Sequence, residues 1–140
     1  MDEPMTEELL ADLLASEAPT DYLDSHDIRD RTLAGYLSQL LETHGLERAE
    51  VVRAAGLDAT YGYQLFKGTR TNPSRDKILQ LAFAMGVTLR ECDRLLQAAG
   101  KSRLYCKNRR DAIIMFCLDR HTTINEANEQ LFARDEQTIG

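Results

Sequence analysis

A chain of 140 residues with 43% hydrophobic content can bury one well-formed core and is too short for two ordinary domains. Its longest uncharged apolar run, Ala112 to Leu118, has seven residues, far below the roughly 20 that a transmembrane helix needs, and its acidic start does not fit a secretory leader. The net charge of −6 argues against a polyanionic partner until it is divided along the chain: residues 1–30 hold ten acids and one base, whereas residues 31–140 hold sixteen bases and thirteen acids, so a basic body carries an acidic arm.

Within that arm, Leu9-Leu10-Ala11-Asp12-Leu13-Leu14 is a short Leu-rich piece in acidic surroundings. It fits a docking helix for a protein partner on an otherwise mobile segment. A tethered polyanion can also compete for the basic body, and a solubilising tail is the simpler alternative.

Helices are expected almost everywhere after it, and nothing reads as a strand. Leu33, Tyr36, Leu37, Leu40 and Leu41 mark one face of a helix over residues 31–43, closed by Gly45. Next, Val51, Val52 and Ala55 give a short helix its apolar face, and Arg48 in its first turn suits a phosphate beside free N–H groups. Gly56 sits where the chain must reverse, Leu57 plugs the turn, and Asp58 is a good N-cap for a helix starting near Ala59. On that helix Gly62, Leu65 and Phe66 face inward by their spacing, leaving Thr60, Tyr61, Tyr63, Gln64 and Lys67 outward.

Two helices around a Gly-centred turn are the layout of a DNA-binding helix-turn-helix, whose second helix enters the major groove. Gln64 is the best base reader, because its amide matches the N6/N7 edge of adenine, and Thr60 suits a base edge or a thymine methyl. Lys67, Thr69 and Arg70 at the helix end fit phosphate contacts. Gly62 inside the helix costs about 1 kcal/mol relative to Ala, and Tyr61, Tyr63 and Phe66 are expected to fill the gap it leaves.

Asn72 or Ser74 with Pro73 opens a further helix to Met85, ended by Gly86. Thr88 with Glu91, and Thr123 with Glu126, both fit the capping box. Between the two helices they open, residues 111–119 form a helix that is apolar on nearly every side and is therefore expected to be buried.

The segment resembles the phage-repressor-like, Cro-type (XRE-type) helix-turn-helix regulators over residues 32–97. Val51-Val52-Arg53-Ala54-Ala55-Gly56 meets their apolar-apolar-variable-variable-small-Gly pattern, Gly68 their glycine at the recognition-helix exit, and Pro73 their helix-opening proline, followed by the apolar stretch Ile78 to Val87. The departures are Gly62, where the family carries an aliphatic residue, and Phe66, where it carries an acid. The resemblance implies an all-α, lambda-repressor-like five-helix DNA-binding unit over residues 31–99, extended by a helical hairpin over residues 100–140 and preceded by the acidic arm, residues 1–30. It places base contacts on Ala59, Thr60, Tyr63 and Gln64, with Arg48 at the polar start of the bracing helix. Double-stranded DNA is then the partner. A homodimer on a palindrome is the usual use of such a unit, with the apolar faces of residues 111–119 and 124–132 as candidate contacts.

No enzyme constellation is visible. His26, His44 and His121 are scattered outside any metal spacing, no Gly-rich phosphate loop is present, and no cofactor is indicated. Cys92, Cys106 and Cys117 form no C-x-x-C pair or even set. Buried thiols at Cys92 and Cys117 suit a reducing cytoplasm. The cluster Lys101, Arg103, Lys107, Arg109 and Arg110 reads as a solvated face, a second phosphate patch or a landing site for the arm. The rival to DNA binding is a protein-interaction module on a degenerate helix-turn-helix scaffold.

Overall fold

Thr32, Asp58, Ser74, Thr88, Asn108 and Thr123 each accept a hydrogen bond from the backbone N–H three residues on, and so set where six helices start. The computed structural model describes residues 6–18 and 32–140, and every regular element among them is an α-helix. The chain divides into two units, Met1–Asp30 and Arg31–Gly140. In the first, α1 (Thr6–Ala15) contains the Leu-rich piece, with Leu10 and Leu14 exposed. Residues 1–5 and 19–31, which include His26 and the expected helix start at Arg31, lie outside the described residues.

The second unit contains α2 (Leu33–His44), α3 (Arg48–Ala54), α4 (Ala59–Lys67), α5 (Arg75–Met85), α6 (Leu89–Ala98), α7 (Arg109–Asp119) and α8 (Ile124–Ala133). Between Pro73's two neighbours, Ser74 rather than Asn72 caps α5. At Thr88 both halves of the capping box form, whereas at Thr123 only the hydroxyl half does.

The axis of this unit is α5, which packs against α2, α3, α6 and α8. Neighbours on several sides explain why Ile78, Leu79, Leu81, Ala82 and Phe83 are all buried although they do not share one face. The expectation of all-round burial for residues 111–119 is corrected: α7 is covered by α6 and α8, which bury Ile114, Cys117 and Leu118 but leave Phe116 57% exposed. Phe132 on α8 is 77% exposed.

A part-buried ion pair joins α7 to the start of α5. Arg75 donates to both oxygens of Asp111, at 2.7 and 2.9 Å, and to the backbone oxygens of Ser102 and Arg103 at 3.1 and 3.0 Å. Asp111 also accepts from Tyr105 N at 3.0 Å. These bonds to Asp111 outweigh the opposing effect of burial and raise the Arg75 pKa above its ordinary value.

Three members of the expected basic cluster are likewise engaged within the fold. Lys101 donates to Asn72, Arg109 pairs with Glu136 at 3.0 Å, and Arg110 reaches Asp76 at 3.1 Å and the backbone oxygens of Gln137 and Thr138. Among the described residues, that leaves Arg103 and Lys107 as the exposed members whose side chains serve no such tie.

Candidate nucleic-acid interface

The turn between α3 and α4 is fixed from below. Gly56 adopts a φ of +72°, a conformation that side chains resist, and Leu57 N donates back to Val52 O at 3.2 Å. Gln80, buried on α5, donates from Nε2 to Ala55 O at 3.1 Å. Leu57 is buried as the plug, and Asp58 caps α4 by accepting from Tyr61 N at 3.1 Å.

Two apolar anchors, Leu65 and Phe66, seat α4 on the core, and Gly62 faces inward with them. The expected gap at Gly62 does not exist. The two helices approach so closely that a Cβ there would lie 2.5 Å from Val52 Cγ1, so Gly62 is a contact point and the aromatic neighbours are released for other roles.

Those neighbours organise the outer face. Tyr63 is 45% exposed, with the Arg48 guanidinium 4.7 Å from its ring centroid and Lys67 Nζ at 5.6 Å. Tyr61 is half-buried against the core and holds Arg70 at 5.4 Å and Lys77 at 5.8 Å from its ring centroid. Cations over ring faces are attracted by the aromatic quadrupole, so two rings gather four cations from α3, α4, α5 and the loop between α4 and α5. Ala59, Thr60, Lys67, Thr69 and Arg70 are exposed, and Gln64 is half-buried.

Two shallow clefts flank α4. One, about 340 Å³, is lined by Arg48, Val52, Arg53, Leu57, Ala59 and Tyr63; the other, about 500 Å³, by Tyr61, Gln64, Thr69, Arg70, Thr71 and Asn72. All eight residues singled out in the sequence therefore belong to one neighbourhood around α4. Sequence reasoning missed Lys77 and the ring of Tyr61 as its support, because Lys77 belongs to α5 and is brought close only by packing.

Away from this face, His44 lies 3.0 Å from Glu91, and His121 lies just past α7 with a φ of +56°. Burial of Cys92 pushes its thiol up to about 12, and burial likewise raises Cys117; Cys106 is exposed. Among the described residues no three His, Cys, Asp or Glu side chains are grouped to hold a metal ion, and no helix is long and apolar enough to cross a membrane. Comparison with protein-family models, curated proteins and solved structures finds no match.

Proposed function

We propose that the chain is a sequence-specific, double-stranded DNA-binding transcriptional regulator of the phage-repressor-like, Cro type. In this reading residues 31–99 act as a lambda-repressor-like unit, α3 braces on the sugar-phosphate backbone, and α4 is the recognition helix. The observation that carries it is the outer face of α4, where Arg48, Lys67, Arg70 and Lys77 surround Tyr61 and Tyr63. Phosphate recognition needs cations held at fixed positions, and stacking on a ring restrains a long side chain before it binds. Thr60, Tyr63 and Gln64 then meet base edges, Ala59 allows close approach, and Thr69 and Arg70 follow the strand. No catalytic step, metal or cofactor enters this reading, and a cytoplasmic setting accords with its two buried thiols.

A second observation favours contact with protein. Phe116 and Phe132 are exposed, and an apolar groove of about 260 Å³ lined by Ala112, Ile113, Phe116 and Cys117 with Gln130 and Arg134 lies between α7 and α8. In the regulator this face serves a second copy on a palindromic site. In the rival reading, a protein-interaction module, it serves another protein and α4 reads nothing.

Binding of the full chain to mixed genomic DNA at low salt separates the two. Retention that weakens steeply as salt rises supports the regulator, since neutralised phosphates release counterions. Absence of retention at low salt rejects it.

A further inference from the structure

Gln64 does not offer a bare amide. Its side-chain oxygen accepts from Arg70 Nε at 2.8 Å, and its backbone oxygen accepts from the N–H groups of Gly68, Thr69 and Arg70 at 3.0, 3.1 and 3.2 Å. The loop after α4 thus folds back onto Gln64, and the Arg70 guanidinium is also steadied by the Tyr61 ring, whose centroid lies 5.4 Å away. Among the described residues neither the Nη groups of Arg70 nor Nε2 of Gln64 makes a hydrogen bond. Both residues line the same cleft of about 500 Å³.

A bare glutamine amide sets a donor beside an acceptor, which matches adenine, whose N6 donates and whose N7 accepts. Here one lone pair of Oε1 is occupied, and the other lies beside a full positive charge, which weakens it as an acceptor for an amino group. What the pair has left to offer is donors: Nε2 of Gln64 and the two Nη groups of Arg70. Adenine would bring its N6 donor against them. Guanine brings two acceptors, O6 and N7.

We propose that Gln64 and Arg70 form one guanine-reading unit, in which Arg70 sets the specificity of Gln64 by occupying its acceptor. The proposal rests on the DNA-binding reading and adds to it the identity of a base. It also gives Arg70 a role beyond a phosphate contact.

Selection from a randomised duplex library with the full chain, beside Gln64→Ala and Arg70→Met, tests it. Arg70 is exposed, so its replacement leaves the core intact. The base pair read by Gln64 is the one whose preference Gln64→Ala relaxes. The unmodified chain is expected to favour guanine over adenine there by about tenfold, and Arg70→Met to move that position toward adenine while keeping the rest of the site. Adenine in the unmodified chain's site, guanine retained by Arg70→Met with a uniform loss on all sequences, or no position relaxed by Gln64→Ala would each overturn the unit while leaving DNA binding in place. Failure to enrich any duplex at low salt would overturn DNA binding itself, and the unit with it.

Discussion

A methyl group at position 62 would lie 2.5 Å from Val52 Cγ1 and 2.7 Å from Cγ2, well inside the separation at which carbon atoms attract. Alanine gains about 1 kcal/mol over glycine in a helix interior, but overpacking a close contact costs typically about 1–3 kcal/mol. Gly62→Ala is therefore expected to lower stability by roughly 1 kcal/mol, read as a lower urea midpoint, and a raised midpoint would contradict the close approach of α3 and α4. Glu91 supplies a pH-dependent counterpart. Burial pushes its carboxyl up, but hydrogen bonds from Thr88 N and from His44 outweigh burial and leave it below its ordinary 4.5. A carboxyl whose folded pKa is depressed contributes stability that is present above its unfolded value and is lost as pH falls through the folded one. Glu91→Gln should thus carry its cost at pH values above 4.5, and its deficit against the unmodified chain should shrink as pH drops below 4.5. A deficit that stays constant from neutral to acid pH would show that Glu91 acts only through packing.

The starts capped by Asp58 and Thr88 were legible because each is a local signal, a side-chain oxygen three residues before the N–H it caps; Ser74 was one of two candidates, and the cap at Asn108, which starts α7 at Arg109 rather than at residue 111, was not read. Burial of a whole helix was not legible, because it depends on which neighbours arrive. Seven uncharged apolar residues from Ala112 to Leu118 suggested that α7 was enclosed, yet Phe116 remains 57% exposed. The charged opening of α5, Arg75-Asp76-Lys77, gave no hint that this helix forms the axis of the unit. Partners separated by 36 residues, such as Arg75 and Asp111, also leave no periodic trace. That pair carries a prediction for how α5 and α7 hold together. Removing one member of a buried ion pair strands the other and typically costs 3–5 kcal/mol. Since the Arg75 side chain keeps 23% of its exposure, Asp111→Ala is expected to cost about 3 kcal/mol, measured by urea unfolding. A loss below about 1 kcal/mol, the range of surface pairs, would mean that α7 is held by its apolar contacts alone.

Over the whole molecule, the charge division between residues 1–30 and 31–140 was readable from composition, and so was the run of candidate contacts around α4. The way Tyr61 and Tyr63 collect Arg48, Lys67, Arg70 and Lys77 was not, because it requires α3, α4 and α5 to meet. The claim that this face binds DNA stands or falls with those cations. The most direct measurement is the dependence of binding on salt for the full chain and for the double variant Arg48→Ala/Lys67→Ala. Each phosphate neutralised contributes about −0.9 to the slope of log K against log salt. The unmodified chain is predicted to bind duplex DNA with a negative slope, and the double variant with a slope shallower by about 1.8. Equal slopes for the two proteins, or no binding by the unmodified chain at low salt, would contradict an interface built on α3 and α4.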